Sequence, residues 1–203
     1  MVQAAARLLS FDDYIEQYPE DGGRYELVDG ELIEMRPIGP HEAISGFLTL
    51  ELGFEIRRLQ LPYFIPKTAV VKPALPRTGY LPDVIVLDKA AVQADPDWEK
   101  SSSVSQGSSV KLAIEVVSTN WRDDYLRKYA DYEAMGIGEY WIADYLGQGG
   151  ARFIGSPKEL TLSVCQWVNG EYVVQLFKGN QRILSPTFPE LDLTVNRIIA
   201  VDQ

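Results

Sequence analysis

The chain has 203 residues, a length that favours one domain with one substantial hydrophobic core. Hydrophobic residues make up 46% of the sequence and charged residues 24%, proportions typical of a soluble globular protein. The net charge of −10 argues against a protein that binds nucleic acid tightly and non-specifically through a basic face. It leaves room for a site that binds divalent cations.

The sequence contains no apolar run that approaches the length of a transmembrane helix. Residues 1–9 are too short for the apolar core of a secretion signal, so a cytoplasmic location is expected. The single cysteine, Cys165, excludes an intrachain disulfide and a zinc site built from several cysteines. We predict that Cys165 is a small buried residue of a strand.

Capping and turn signals define the first elements. Ser10 is predicted to cap a short helix, because Asp13 stands three residues later near the positive end of that helix. Residues 25–35 contain two strand-forming segments around an Asp-Gly turn, which predicts a tight hairpin. A long helix is predicted over 41–59 from apolar residues at helical spacing, which are Ile44, Leu48, Leu52, Ile56 and Leu59.

Strands are predicted in the middle of the chain. A short strand at 68–72 precedes two apolar, β-branched runs at 80–88 and 110–118. The segment between these runs, 89–109, is polar and becomes rich in serine and glycine, which is typical of a mobile surface excursion. The two runs are therefore interpreted as core strands separated by a surface segment.

The remaining elements complete a predicted α/β fold. A helix is expected over 120–135, with Asn120 as its cap and Gly136 at its end. It is followed by a strand at 139–144, a hairpin of 162–168 with 171–177, and a short helix at 194–201. This order favours a mixed sheet flanked by helices, with a hairpin towards either end of the chain. We treat residues 1–203 as one domain, with a core at about 25–145 and a C-terminal β extension at 151–203.

Asp83 and Glu115 are the most informative residues, because each lies in an apolar run where an ionised carboxylate is costly unless it is paired. Carboxylate oxygens are the ligands that Mg²⁺ and Mn²⁺ prefer. Lys128 shares a helix stripe with Tyr125 and Tyr132, which would bring its ammonium group towards the strand of Glu115. A lysine there can hold an attacking water or stabilise charge on a phosphate. The pattern favours a metal-dependent phosphodiester site, and structural ion pairs are the alternative.

A longer set of residues carries a family resemblance: Pro82-Asp83, Glu115-Val116-Val117-Ser118, Lys128, Tyr129, Tyr132, Gly136-Ile137-Gly138-Glu139-Tyr140-Trp141 and Asp144. With these residues the chain resembles the Uma-two family, bacterial proteins proposed to be endonucleases of the PD-(D/E)XK nuclease superfamily. The resemblance extends from the hairpin at 25–35 to about residue 145. It implies a restriction-endonuclease-like core, with Asp83 and Glu115 as ligands of Mg²⁺ or Mn²⁺. It also implies DNA as the substrate and a homodimer, since many nucleases of this fold cut two strands with two sites.

One position departs from the superfamily pattern. The superfamily's lysine stands two residues after the glutamate, where this chain has Val117, and Lys128 is interpreted as its replacement on the following helix. The alternative is a surface pair between Lys128 and Asp124. Glu31, in the leading hairpin, is a candidate third acidic ligand or water-positioning group, and an exposed hairpin face is its alternative.

The other polar and aromatic candidates have structural interpretations. His41 could contact a phosphate, but a structural role is favoured. Glu139 and Asp144 are predicted to fix strand ends or to pair with basic groups. Tyr125 and Tyr129, with Tyr132, are predicted to pack rather than to stack on bases. Solvated surface charge is the interpretation of the possible basic strip, which comprises Arg57, Arg58, Lys67 and Lys72.

Three functions follow from these observations. The leading hypothesis is a metal-dependent DNA endonuclease, in which a metal on Asp83 and Glu115 activates water and Lys128 assists, with Glu31 as a further candidate. The second is a catalytically inactive nuclease-fold protein that binds DNA or a protein partner. The third is a structural or regulatory oligomer in which the hairpin at 161–177 pairs with a second copy through its edge. No membrane partner is expected.

Overall fold

The computed structural model describes residues 8–202, and the expectation of no secretion signal rests on residues 1–9, seven of which lie outside this range. The helices are α1 Phe11–Glu16, α2 Gly39–Arg58, α3 Lys89–Gln93, α4 Trp98–Ser101, α5 Tyr129–Met135, α6 Ala151–Ile154 and α7 Val195–Ile199. The strands are β1 Arg24–Val28, β2 Glu31–Met35, β3 Tyr63–Phe64, β4 Val70–Val71, β5 Val84–Asp88, β6 Ser103–Val104, β7 Val110–Val116, β8 Glu139–Asp144, β9 Thr161–Val168 and β10 Glu171–Phe177. A π-helical segment, Asp123–Lys128, leads into α5, and 3₁₀ turns lie at Gly107–Ser109 and Ala200–Asp202.

A mixed sheet lies at the centre of the described chain, with the strand order β10-β9-β8-β7-β5-β3. β7 and β8 are parallel, and the helical segment between them makes the crossover that parallel neighbours require. The other neighbours are antiparallel. The C-terminal hairpin β9–β10 extends this sheet, and the hairpin β1–β2 forms a separate two-stranded sheet. The predicted α/β class, with a helix-flanked mixed sheet and two hairpins, is confirmed.

Hydrophobic clusters cover both faces of the sheet, which explains why β7 is an almost continuous apolar run. On one face, Leu48 of α2 packs in a cluster that includes Ile114. On the other, Tyr132 of α5 packs in a cluster that includes Ile85. A third cluster, which includes Leu27, lies beneath the N-terminal hairpin. Cys165 is buried in β9, as predicted.

The segment 89–109 differs from its prediction. It forms α3, α4 and β6, and its residues Ser103 and Val104 are fully buried, so the predicted surface excursion is in part packed against the core. The cause is Asp95, which is 4% exposed and accepts hydrogen bonds from the backbone N–H groups of Ser105 and Gln106. A single buried acceptor therefore fixes a polar loop against the core.

Local differences are smaller elsewhere. The strand predicted at 68–72 is reduced to Val70–Val71, which pairs in parallel with β6. The helix predicted over 120–135 is present, but its first part is π-helical. None of the helices within residues 8–202 is both long and apolar enough to cross a bilayer.

Candidate functional site

The sheet topology brings Asp83 and Glu115 together. β5 and β7 are antiparallel neighbours with Val84 opposite Ile114, so Asp83, one residue before β5, stands opposite Glu115. Directly opposite residues of an antiparallel pair project to the same face with Cβ atoms about 5 Å apart. The backbone N–H of Val116 donates to Oδ2 of Asp83 at 2.8 Å and fixes this juxtaposition.

Lys128 lies between three carboxylates. Its Nζ atom is 3.0 Å from Oε2 of Glu115, 2.9 Å from Oε1 of Glu26 and 3.9 Å from Oδ1 of Asp124. The side chain is 4% exposed, so the alternative of a surface pair with Asp124 does not describe it. Lys128 and Asp124 both belong to the π-helical segment, a conformation that occurs mostly as short insertions and frequently at functional sites.

Glu26 is the member of this cluster that the sequence analysis missed. Its Oε1 atom also accepts a hydrogen bond of 2.9 Å from the backbone N–H of Leu81, so it joins the hairpin to the segment that carries Asp83. No local signal distinguishes Glu26 from the other hairpin carboxylates.

Glu31 does not join the cluster. The hairpin register pairs Glu26 with Ile33 in the middle of the strands and Val28 with Glu31 at the turn. Both pairs project to the same face, but Glu26 is buried beside Lys128 whereas Glu31 is exposed at the turn end. The hairpin side chain that joins the cluster is Glu26, which was not predicted, and the predicted Glu31 lies outside the cluster.

One carboxylate oxygen of Asp83 has no hydrogen-bond partner among the described residues. Its Oδ2 atom is 3.2 Å from Nε2 of His41 as well as bonded to Val116. Its Oδ1 atom is buried and has no hydrogen-bond partner in the described chain, with Arg24 at 3.9 Å as its nearest cation. His41 therefore lies in the site and orients Asp83, which agrees with the structural role predicted for it. A buried carboxylate oxygen without a donor is costly unless a ligand uses it.

The tyrosines pack around this cluster. Tyr125 and Tyr132 are buried, and Tyr129 packs against Tyr172. The hydroxyl of Tyr132 donates a hydrogen bond of 2.8 Å to Oε1 of Glu115. These residues pack as predicted, and Tyr132 additionally fixes the orientation of the Glu115 carboxylate.

Burial controls the protonation of the cluster. It raises the pKa of Glu115 well above the usual value, and the charge of Lys128 opposes this only in part. It likewise raises the pKa of Asp124 to about 7. Burial would lower the pKa of Lys128, but the charges of Glu115 and Glu26 outweigh it and raise that pKa well above normal. Burial is also outweighed at His41, where Asp83 raises the pKa of the imidazole.

The donor set suits a divalent cation. The carboxyl groups of Glu26, Asp83, Glu115 and Asp124 outnumber the basic groups Lys128 and His41, and a divalent cation would favour the ionised form of the two whose pKa burial raises, Glu115 and Asp124. Within residues 8–202, no three His, Cys, Asp or Glu side chains are already arranged around one metal position. The unpartnered oxygen of Asp83 and the hard oxygen donors nevertheless fit Mg²⁺ or Mn²⁺, which need few carboxylates beside water and phosphate.

A cleft of about 460 Å³ opens onto these groups. Arg24, Arg36 and Arg127 line it, so a basic rim surrounds the acidic centre. The basic strip considered from the sequence lies elsewhere: Arg58 pairs with Glu55 and Glu190, and Lys72 pairs with Asp97. The rim arginines come from separate parts of the sequence, and only the fold brings them to the same cleft.

Two further carboxylates fix strand ends, as predicted. Asp144 accepts hydrogen bonds from the backbone N–H groups of Gln148 and Gly149 after β8. Glu139 accepts from the indole of Trp141 at 2.6 Å and from the backbone N–H of Thr187 at 2.8 Å. Their oxygens are occupied by structural donors.

Comparison with known proteins identifies the family. A family model, Uma2, described as "Putative restriction endonuclease", matches residues 11–196. The chain belongs to the Uma2 family. The resemblance to Uma-two proteins is thereby confirmed, and the match includes both hairpins as well as the central sheet. No curated protein sequence matches the chain.

The fold of this Uma2 protein is also found in a solved structure. It is similar to a protein described as "a putative nuclease belonging to DUF820 from Anabaena variabilis ATCC 29413", with a TM-score of 0.71 and 16% sequence identity. The similarity covers 95% of this chain and 98% of the other. At this identity the comparison establishes the fold. Both the family and the structural neighbour are described as nucleases, which places the Uma2 chain among nuclease-like proteins.

Proposed function

We propose that the protein is an endonuclease that hydrolyses DNA phosphodiester bonds with Mg²⁺ or Mn²⁺. One observation carries this proposal: Asp83 and Glu115 stand opposite each other on neighbouring strands, with an unpartnered Asp83 oxygen and the Lys128 ammonium 3.0 Å from Glu115. Carboxylates and an ammonium group at this spacing suit the binding of a metal and a phosphate together. The family and fold descriptions point to the same chemistry.

Asp83 and Glu115 would hold the metal. A bound divalent cation would lower the pKa of water and neutralise charge on the phosphate. His41 and the N–H of Val116 hold Asp83 through Oδ2, which leaves Oδ1 free for a ligand. Tyr132 holds Glu115 through Oε1.

Lys128 would act as a fixed positive charge. Its pKa is raised well above normal by Glu115 and Glu26 despite burial, so its ammonium group keeps its proton near neutral pH. A group in this state can donate hydrogen bonds to a water or a phosphate oxygen, but it cannot accept a proton. We therefore assign Lys128 to positioning and charge stabilisation, with Glu26 as the residue that positions it.

The basic rim supports DNA as the partner. Arg24, Arg36 and Arg127 line the cleft and would contact phosphates beside the acidic centre, which removes the objection raised by the net charge. Arg127 is 2.6 Å from Asp29 and Arg36 is 2.5 Å from Glu34, so these contacts would compete with existing surface pairs. A homodimer is the proposed assembly, because two sites would cut two strands.

The second candidate is a catalytically inactive nuclease-fold protein that binds DNA or a protein partner. The observation that favours it is the arrangement around Lys128, whose ammonium is already occupied by Glu26 and Glu115. A lysine held in this way could serve only to neutralise the buried carboxylates.

Cleavage of supercoiled plasmid DNA with Mg²⁺ or Mn²⁺ tests the two candidates. Wild type should nick or linearise the plasmid, and Asp83→Ala and Glu115→Ala should reduce the rate by a factor of about 10³ or more. Lys128→Ala should reduce it by a factor of about 10². Glu99→Ala, an exposed carboxylate on α4, is the matched control and should cut like wild type.

The outcomes separate the candidates. An inert wild type that still binds metal in calorimetry would contradict the endonuclease and favour the binding protein. Activity retained in Lys128→Ala alone would leave the metal site in place and remove the assignment of Lys128. Circular dichroism of each variant checks that a loss of cleavage is not a loss of folding.

A further inference from the structure

The groups that would bind the metal and the phosphate are buried beneath a small cleft. The side chains of Asp83 and Glu115 are each 2% exposed, and that of Lys128 is 4% exposed. The cleft volume of about 460 Å³ is that of a sphere about 10 Å across, whereas a paired duplex is wider than its own major groove of about 12 Å. The cleft therefore has room for one strand of DNA but not for a paired duplex.

The lining of the cleft includes exposed apolar side chains as well as arginines. Ile33, Ile38 and Leu146 line it, and their exposed fractions are 43%, 61% and 46%. The outside of a duplex presents mainly phosphates and sugars, which are contacted by polar and basic groups. An unpaired strand also presents the faces of its bases, which pack on apolar and aromatic surfaces. The apolar part of the lining therefore favours an unpaired strand.

A second surface combines two arginines with two aromatic rings. The guanidinium carbon of Arg122 is 4.6 Å from the ring centre of Trp121, and that of Arg152 is 4.5 Å from the ring centre of Phe153. The two rings are in edge contact, with centroids 6.1 Å apart. Both arginines are exposed, and neither forms a salt bridge within residues 8–202. We call these four residues the arginine–aromatic patch, and their chemistry suits single-stranded nucleic acid, since cations bind its phosphates and planar groups stack on its bases.

The arginine–aromatic patch adjoins the cleft through two segments of the chain. Asn120 lines the cleft and Trp121 follows it directly, and Leu146 lines the cleft in the segment that leads to Phe153. A Cβ atom on Gly150 would lie 3.3 Å from Trp121 and 3.5 Å from Phe153, so this segment packs against the indole. A strand whose phosphate occupies the cleft would therefore reach the patch within a few nucleotides.

We propose that the substrate of the cleft is an unpaired DNA strand, one phosphate of which enters the cleft while neighbouring bases stack on the arginine–aromatic patch. The inference rests on the proposed function for the cleavage step and adds the state of the DNA that is cut. Charge complementarity supports it, because Arg122 and Arg152 add two cations without salt bridges in the described chain to the arginines of the rim. A single strand can also bend from one surface to the other, whereas duplex DNA stays stiff over about 150 base pairs.

Fluorescence anisotropy in EDTA measures the binding of DNA without cleavage. A labelled strand of about 20 thymidines should bind wild type at least about tenfold more tightly than a duplex of the same length. The combined variant Arg122→Gln/Arg152→Gln should weaken binding of the strand about tenfold, because two contacts to phosphates and bases are lost. Arg57→Gln is the matched control and should bind like wild type. Arg57 is exposed, has no salt bridge in the described chain, and lies about 24 Å beyond His41 along α2.

The topology of plasmid DNA tests the same preference in cleavage. Negative supercoiling favours unpaired segments, which a relaxed closed circle of the same sequence lacks. With Mn²⁺, wild type should therefore cut the supercoiled form at least about tenfold faster than the relaxed form. The combined variant Arg122→Gln/Arg152→Gln should cut the supercoiled form more slowly than wild type, and Arg57→Gln should cut it at the wild-type rate.

The outcomes separate this inference from the proposed function. Equal binding or equal cutting of paired and unpaired DNA would overturn the inference and leave the endonuclease in place. Tight binding of the strand that the combined variant does not weaken would remove the arginine–aromatic patch from the proposal and overturn it in this form. A wild type that cuts neither plasmid but binds the strand through the patch would contradict the endonuclease and leave the strand-binding surface in place.

Discussion

Asp95 and Asp83 are both buried aspartates, and they differ in what their oxygens contact. Both oxygens of Asp95 accept hydrogen bonds from the loop that it organises, including the backbone N–H groups of Ser105 and Gln106 and the hydroxyl of Ser109. All of these donors come from a single loop within residues 95–109. Both oxygens of Asp95 are therefore satisfied by donors of the fold, and neither is available to a ligand.

The surroundings of Asp83 are different. One of its oxygens is held by Val116 and His41, and the other is buried without a donor. Its neighbours include Glu115 and Lys128, which are ionisable side chains from separate elements. Burial of a carboxylate therefore does not by itself identify a functional site. The informative property is whether a carboxylate oxygen remains without a hydrogen-bond donor after the fold has supplied its own donors.

The largest expected effect concerns the charge balance of the site. Lys128→Met removes the cation between Glu26 and Glu115 and leaves their charges uncompensated, so the free energy of unfolding at neutral pH should fall by about 3–5 kcal/mol. Urea denaturation measures the loss. Added Mn²⁺ should recover part of it, because a divalent cation would replace the missing charge.

Lys72→Met is the control for that loss. Lys72 is 3.3 Å from Asp97, but its side chain is 28% exposed, so its removal should cost less than about 1 kcal/mol. If both methionine variants lose the same stability, the buried cluster has no special dependence on its lysine.

The second prediction replaces each of the two aspartates by asparagine, which removes the charge and nearly keeps the shape of the side chain. Asp95→Asn would turn an amide donor towards the N–H and hydroxyl donors of its loop, and it should cost about 2–3 kcal/mol of unfolding free energy. Asp83→Asn keeps an acceptor for Val116 and should cost less than about 1 kcal/mol, while the affinity for Mg²⁺ falls more than tenfold. Denaturation and calorimetry on both variants check the pair. A reversal of the two results would show that Asp83 is the structural residue.

The contrast also shows what the sequence can predict. Glu115 lies in a strand and Asp83 directly precedes the neighbouring strand, so the pairing of the strands brings these two together, and the helical stripe places Lys128 on the side of the sheet. The sheet and its flanking helices follow from the same periodicities. The proximity of Asp83, Glu115 and Lys128 was therefore predictable, whereas the roles of these residues remain predictions.

Asp95 and Glu26 were beyond prediction for a common reason. Each looks like an ordinary acidic residue of a polar loop or hairpin, and only contacts distant in sequence decide its burial. The position of Glu31 outside the cluster has the same origin, since no local pattern tells which residue of a hairpin contacts distant elements. The π-helical turn that carries Lys128 is likewise a product of tertiary packing.

A third prediction concerns pH. Burial raises the pKa of Asp124 to about 7 and that of the proposed ligand Glu115 well above its usual value, so metal that binds beside these carboxyl groups competes with protons. Affinity for Mn²⁺ should therefore increase about tenfold from pH 6 to pH 8. The free energy of unfolding without metal should change with pH in the opposite direction. A carboxyl group with a raised pKa stabilises the fold at low pH, and this contribution is lost as pH rises towards 7. Asp124→Asn should flatten both curves, and unchanged slopes in titration calorimetry would contradict the assignment.

The smallest expected effect separates two glutamates of one hairpin. Glu31→Gln alters an exposed side chain and should change the free energy of unfolding by less than about 0.5 kcal/mol, with DNA cleavage and metal affinity unchanged. Glu26→Gln keeps an acceptor for the N–H of Leu81 but loses the charge beside Lys128, so it should reduce cleavage through the position of that lysine. Kinetics and denaturation of both variants decide between them. An effect of Glu31→Gln as large as that of Glu26→Gln would mean that the turn of the hairpin closes over the cleft when substrate binds. The contacts of each carboxylate would then have to be judged in the complex with substrate.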